Sequence, residues 1–493
     1  MSDRVFQTGQ GRVFLQLQGA GPAEQLKYQG LARMGGFSLS AGEPARVQRP
    51  SPLAYDQFDD IDEVAGESSR PTTSMIARFG LSNPILDATC PVHVQVHWGK
   101  CSNPQDLNRG WEIILDYEHA IFTSKSGDEQ TALDEAGRAT ILLTGELSAR
   151  KMWQIKQMSL SEVAAAEIAA EIVAVIANDY ISCGECGYVS DGSQRFFAVA
   201  KNGTVGSPGL SAELLVSTDK GATLLEYDIT TLAVGEQPTG AQVIGQYVVV
   251  VSTDSDSMHI ADLNDLSTWQ EVLTGFPGGS GEPINITALS SAEGWICGKD
   301  GYIYKVDNAA DGVVVQHAGS VLTDDLYAIH ANSSREVLAG GDSGALLVSH
   351  NGGETWAAPT VSPTVARITT VWMRSSHTWI VGDANGYLYY TVNGGVTWTT
   401  KSFPMAGLGS ITGISFASHP DSPFGFLSAT NAVGKGFIFR TLDGGNSWYQ
   451  LPDTAATTPD NEGLSCVSAG ASGNFVVAGG LKTGIDGIVI VGA

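Results

Sequence analysis

Four copies of one short pattern lie in the second half of the chain. They read Ser217-Thr-Asp219-Lys-Gly221-Ala-Thr223-Leu224, Ser349-His-Asn351-Gly-Gly353-Glu-Thr355-Trp356, Thr391-Val-Asn393-Gly-Gly395-Val-Thr397-Trp398 and Thr441-Leu-Asp443-Gly-Gly445-Asn-Ser447-Trp448. The last three start 42 and 50 residues apart, and the first starts 132 residues before the second, close to three such periods. A repeat of this length implies an array of small identical units. For a chain of strands separated by turns, that array is a β-propeller.

The pattern has a local physical logic. Apolar runs precede the copies: 213–216, 345–348, 387–390 and 437–440. A strand-like run follows each copy, and between the two stands Asp/Asn-x-Gly. Asp and Asn bond their own backbone and Gly tolerates positive φ, so the segment suits a tight turn between strands. The aromatic residue that ends copies two to four is placed to fill space between neighbouring sheets. Leu224 stands there in the first copy, which is degenerate.

Seven Gly-bounded apolar runs share this phase: 196–199, 247–250, 294–297, 336–339, 378–381, 425–428 and 474–477. Each reads as the second strand of a four-stranded unit. The expectation is therefore a seven-bladed propeller over 196–493, with six blades as the alternative count. The last unit lacks a fourth strand, and a strand within 178–195 is expected to complete it, because an open ring would leave two bare edges.

Residues 1–180 carry no such repeat. Period-2 alternation at 13–18, 73–78, 93–97, 111–115, 119–122 and 140–144 reads as strands. Ser159 to Asn178 reads as one helix: Ser159 and Glu162 form a capping box, and Val163, Ile168, Ile172, Val175 and Ile176 make an apolar stripe. The fold class expected is mainly β: an α+β module at 1–180 with a helix at 159–178, a linker or ring-closing strand at 181–195, then the propeller.

Composition limits the function. The formal charge is −25, with 43% hydrophobic and 16% charged residues. Acidic residues exceed basic ones in both halves, 24 to 15 over 1–185 and 28 to 12 over 186–493. Neither half has a basic footprint for gripping nucleic acid, so no sequence-specific nucleic-acid partner is expected. An acidic wall can instead line a passage through which nucleic acid slides without sticking. Met1-Ser-Asp-Arg-Val-Phe-Gln7 lacks the apolar core of a signal peptide, and the most apolar stretch, 160–177, is broken by Glu162, Glu167 and Glu171. A protein made in a cytoplasm, without a membrane partner, is expected.

Chemistry-bearing residues are sparse. Cys183-Gly-Glu-Cys186 with Cys90 and Cys101 has half the spacing of a zinc site, but Cys90 and Cys101 are not a knuckle, so free thiols or one local disulfide are preferred. Cys297 and Cys466 read as buried strand residues. The acidic run Tyr55 to Val64 lacks calcium-loop spacing and reads as a solvated loop. His93 and His97 share a strand face about 13 Å apart by strand rise, too far for one metal, and suit surface or interface hydrogen bonds. No metal and no cofactor is expected. No nucleophile elbow, zinc-protease motif or phosphate loop occurs.

Copies two to four resemble the Asp-box of sialidases and related propellers. In those enzymes the boxes are structural, and the resemblance implies that role here for Asp219, Gly221, Thr223, Asn351, Gly353, Thr355, Trp356, Asn393, Gly395, Thr397, Trp398, Asp443, Gly445, Ser447 and Trp448. A sialidase also needs three converging arginines and an Arg-Ile-Pro segment. This propeller has only Arg195, Arg335, Arg367, Arg374 and Arg440, with Arg440 set at a blade's periphery, and the segment is missing. The chain is expected not to be an enzyme.

The propeller also resembles photosystem-assembly propellers. The whole chain resembles virion proteins of tailed bacteriophages, through Arg70 to Arg78, Cys90 to Gly99 and the segment 159–178. That resemblance implies a tail tube subunit: a β-rich module forming rings, plausible as hexamers, stacked among other virion proteins, with the propeller decorating the outside. The alternative expectation is a non-enzymatic propeller that binds a glycan, a protein or a host-surface ligand through its open faces, with the N-terminal module as adaptor.

Overall fold

In the computed structural model, residues 212–492 are described apart from short loops. Before residue 212 the described residues are Met158 and the backbone of thirteen strands, with side chains described at 93–97 and 114. The chain forms two compact units, Met1–Gln157 and Met158–Ala493.

The first unit contains β1 (Gly11–Leu17), β2 (Lys27–Ser40), β3 (Arg46–Pro50), β4 (Ile61–Ala65), β5 (Thr72–Phe79), β6 (Val92–Trp98), β7 (Ile113–Ser126), β8 (Thr131–Leu133), β9 (Ala139–Ser148) and β10 (Lys151–Lys156). Eight of them form one antiparallel sheet in the order β10-β7-β6-β1-β2-β5-β9-β8. An added pairing of β7 with β9, from Ile121 opposite Ser148 to Ser126 opposite Thr144, closes β7-β6-β1-β2-β5-β9 into a barrel. Closure leaves only β10 and β8 paired on one side among the described strands of this sheet. β10 continues the line of β9 along β7, with Lys151 opposite Glu118. β3 and β4 stand apart as a two-stranded hairpin, Arg46 opposite Ala65.

Along β6, residues 93–97 are all buried. The two histidines are therefore buried within the unit, not set for the surface or interface hydrogen bonds expected of them. His97 Nε2 and Gln95 Oε1 lie 3.0 Å apart within the strand. The acidic run at 55–64 also departs from a plain loop: its last four residues, Ile61 to Val64, belong to β4, and 55–60 lie outside the described residues.

The second unit is a β-propeller of seven antiparallel sheets. Its innermost strands are β12 (Ile172–Asn178), Pro238–Ile244, Pro283–Ala288, Leu326–Ala331, Ile368–Met373, Leu408–Phe416 and Gly463–Ala469. Each packs on the next, and the last packs on β12, so the ring is complete. The cores lie between adjacent sheets. Trp295, Cys297 and Ile303 of the third sheet meet Leu326, Val337 and Leu347 of the fourth. Trp379 and Val381 of the fifth meet Leu338, Leu346 and Val348 of the fourth.

Two expectations fail at the propeller's entry. The segment 159–178 is not a helix: β11 (Leu160–Glu162) and β12 lie within it, and 163–171 are outside the described residues. The ring-closing strand is not within 178–195. It is β11, which pairs with Gly487–Gly492 of the seventh sheet, Leu160 opposite Gly492. Hence the units divide at 157/158, earlier than residue 180. The misreading has a physical cause. Ile172-Val-Ala-Val-Ile176 is β-branched, which favours strands, and a strand covered on both faces shows no period-2 alternation. Closing the ring decides the conformation over the helix-like stripe. Met158, just before β11, is buried with Phe426, Ile438, Leu464 and Ile490 between the sixth and seventh sheets.

The fourth sheet has three strands. Beyond Leu346–Ser349 only Val348 and Ala357 form a bridge. Pro359 and Pro363 follow, and proline cannot donate to a strand ladder.

Candidate functional site

The boxes sit where the third strand of a sheet turns back. In copies two to four, the first hydroxyl and the Asp/Asn close the turn together. Thr441 Oγ1 donates to Asp443 Oδ1 (2.9 Å) and accepts from Gly445 N (2.8 Å), while Ser447 N donates to Asp443 Oδ1 (2.8 Å) and Ser447 Oγ to Asp443 Oδ2 (2.7 Å). Copy two repeats this with Gly353 N on Ser349 Oγ (2.8 Å), Thr355 N on Asn351 Oδ1 (3.0 Å) and Asn351 Nδ2 on Thr355 Oγ1 (2.9 Å). Copy three does so with Gly395 N on Thr391 Oγ1 (3.1 Å), Thr397 N on Asn393 Oδ1 (2.9 Å) and Asn393 Nδ2 on Thr397 Oγ1 (2.8 Å). Gly353, Gly395 and Gly445 have φ of 87°, 79° and 89°, a region that favours glycine. In the degenerate first copy Asp219, Gly221 and Leu224 lie outside the described residues, and Thr223 is exposed.

The aromatic residues pack on a second ring. Trp356 meets Trp295 edge-on at 6.1 Å, Trp398 meets Trp379 at 6.2 Å, and Trp448 meets Phe416 edge-on at 6.2 Å. Trp356 and Trp398 rest on the cores between sheets.

The fourth box differs from the others in its burial. Asp443 and Trp448 are buried, whereas Asn351, Trp356 and Trp398 are half-buried and Asn393 is exposed. Burial pushes the Asp443 carboxyl up, against the hydrogen bonds from Ser447 and Thr441 that lower it. Lys401 Nζ reaches across from the fifth sheet to Asn446 Oδ1 (3.3 Å), and burial pushes its ammonium down. Arg440, before the box, is fully buried in the third strand of its sheet, with its guanidinium 5.4 Å from the Phe426 ring centre.

On the opposite face lie the starts of the inner strands and the turns between second and third strands. Here turns reach to the next sheet. Asp300 N donates to Asp325 Oδ1 (3.0 Å), and Arg367 Nε donates to Asp342 Oδ1 (2.6 Å). The Arg367 guanidinium also lies 4.1 Å from the Tyr327 ring centre. Lys299 pairs with Glu282 at 3.7 Å. Asp383 Oδ2 accepts from Thr364 Oγ1 (3.0 Å) and the Tyr389 hydroxyl (3.2 Å). Burial pushes the Tyr327 hydroxyl up, and the Asp342 hydrogen bond pushes Arg367 up. A bulge at the second residue of the inner strand places Tyr327 at this end.

This group combines an arginine stacked on a tyrosine with neighbouring carboxylates, held at strand ends and turns. Sequence reading missed it. The signal was the recurring turn Gly298-Lys-Asp-Gly301 and Gly341-Asp-Ser-Gly344, in which Asp300 and Ser343 take φ of 52° and 57°.

The cysteines and histidines do not join it. Cys297 is fully buried, its Sγ donating to Leu326 O (3.3 Å), and Cys466 Sγ lies 3.7 Å from Gly479 O. Cys90, Cys101, Cys183 and Cys186 are outside the described residues. Among the described residues no group of three His, Cys, Asp or Glu is placed to hold a metal. His330 is buried, Met373 N donating to its Nδ1 (3.1 Å), and burial holds it down at about 3. His259, beside Thr231 Oγ1 (3.0 Å), is held down at about 4 by burial. No helix among the described residues is long and apolar enough to cross a membrane.

No family model matches the chain, and no curated protein does. Solved structures match at 14% identity. One is YCF48 from Cyanidioschyzon merolae, with a TM-score of 0.49 over 68% of this chain and 98% of that one. Another is YCF48 bound to D1 peptide, with a TM-score of 0.47 over 68% and 96%.

Proposed function

We propose that this chain is a structural, non-enzymatic virion protein of a tailed bacteriophage, a tail tube subunit. Its barrel unit assembles into rings that stack, and its propeller decorates the outside. The observation that carries the assembly reading is the β3–β4 hairpin. Among the described residues it pairs with no third strand, and a lone two-stranded hairpin is marginal in water. Such a hairpin fits a subunit whose neighbours complete it. The propeller closes on itself and needs no partner. The acidic excess suits a passage that DNA traverses without sticking. Negative-stain microscopy with light scattering on the purified chain tests this. Rings or stacked tubes are the expected result, and monomers at high concentration remove the reading.

The Tyr327–Arg367–Asp342 group favours a second reading, a propeller that recognises a glycan or protein through the face opposite the boxes. An Arg367→Ala chain that assembles normally but no longer binds host cells would support it. Undiminished binding would remove it.

A further inference from the structure

Among the described residues, the first unit has a hairpin that joins no larger sheet and a strand with an open edge. β10 pairs with β7 along one side, and no other strand of the described residues lies on its second side. We propose that β4 of one copy adds to this open edge of β10 in a second copy, making the hairpin a third-and-fourth-strand extension of the neighbour's β10–β7 pair. The proposal rests on the assembly reading and names the contact that joins the copies.

The charge pattern selects these two strands. β10 reads Lys151-Met-Trp-Gln-Ile-Lys156, with a cation at each end. β4 reads Ile61-Asp-Glu-Val-Ala65, with two adjacent carboxylates. β3 is the wrong partner: Arg46 and Arg49 would oppose the lysines, and Pro50 has no N–H to donate. The other hairpin edge, β4, has no proline. One antiparallel register satisfies both strands. It sets Ile61 opposite Ile155 and Val64 opposite Met152, with Asp62 diagonal to Lys156 and Glu63 diagonal to Lys151. Directly opposed apolar pairs and diagonal opposite charges are the cross-strand units that stabilise a sheet, and strand addition to an open edge is a common way for chains to join.

The test uses the full chain. Asp62→Lys with Glu63→Lys should raise the concentration at which the assembly half-dissociates by about tenfold or more. In an Asp62→Lys chain, adding Lys156→Asp should restore it, with Lys151 left unchanged because it stands opposite Glu118 in its own sheet. Independently, a Val64→Cys chain mixed with a Met152→Cys chain should form a disulfide-linked pair under mild oxidation that neither chain forms alone. If the wild-type chain assembles while the charge reversals change nothing and no mixed pair forms, the copies join elsewhere and this contact is wrong. If the wild-type chain stays monomeric, the assembly reading itself falls and this contact with it. Circular dichroism and thermal melting of the full chain, with the transition of the first unit unchanged in every variant, show that the substitutions have not unfolded it.

Discussion

Glu162 stands opposite Ile490 in antiparallel register, so the seventh sheet is made from both ends of the propeller. Three residues of β11 thereby cover the edge of Gly487–Gly492, and β12 supplies the inner strand of the first sheet.

A fragment beginning at 158 should therefore fold as a monomeric, protease-resistant propeller. One beginning at 186 lacks both β11 and β12 and should aggregate or be digested. Removing Ile488 to Ala493 should have a similar effect, because it strips the strand on which β11 pairs. Limited proteolysis with light scattering separates the outcomes. A stable, monomeric 186–493 fragment would show that the ring does not depend on these strands.

Much of the propeller was legible, and the reason is local. Each of the seven apolar runs expected as second strands overlaps the second strand of its sheet, from Arg195–Ala200 to Val476–Leu481, and the runs at 336–339, 378–381 and 474–477 begin one or two residues too early. Gly and turn residues bound those runs, and burial on both sides makes them continuously apolar. β11 and β12 were not legible, because what makes them strands is pairing with residues far along the chain. The Arg367–Tyr327–Asp342 group was hidden for a similar reason. Its members come from two sheets and meet only when the ring forms.

The boxes should differ in their response to substitution. Asp443→Ala leaves the half-buried Ser447 and buried Thr441 donors without their acceptor, at a cost of about 1–3 kcal/mol. Asn351→Ala or Asn393→Ala, at half-exposed or exposed turns, should cost about 1 kcal/mol or less. Trp448→Ala removes a buried ring and should cost about 3–5 kcal/mol. Denaturant midpoints check the order. Equal, negligible effects at all four positions would remove the structural reading of the boxes.

Asp443→Asn should behave differently from Asp443→Ala. Copies two and three use Asn in this place and keep the same turn, with the side-chain amide donating to the following threonine. Burial raises the Asp443 carboxyl above its usual range. A raised folded-state pKa means its stabilising contribution is fully present below the unfolded value of about 3.9 and is lost as pH rises through the folded value. At neutral pH the uncharged amide should thus match or exceed the wild-type melting temperature. A loss as large as that of the alanine variant would mean that the carboxylate's charge is needed.

Arg367→Ala should change stability little. Its pair with Asp342 is half-exposed, and such pairs contribute about 0–1 kcal/mol. Calorimetry on the wild type and the variant checks this. A drop well beyond that range would make Arg367 a structural clasp between the fourth and fifth sheets and weaken the case for a recognition surface.

Acid should loosen the propeller as pH falls below about 6.5. His259 and His330 are held down at about 4 and about 3 by burial, against an ordinary value near 6.5. A folded-state pKa below the unfolded one means that the stability is present above about 6.5 and falls as pH drops, because the unfolded chain takes up protons that the folded one refuses. Each histidine contributes a slope of up to about 1.4 kcal/mol per pH unit between its two values. Urea midpoints measured from pH 7 to pH 4.5 should fall steadily. His330→Gln keeps an acceptor for Met373 N, and together with His259→Gln it should flatten most of that fall. If the double variant loses stability with pH as steeply as the wild type, the two rings are not the groups that carry the acid sensitivity.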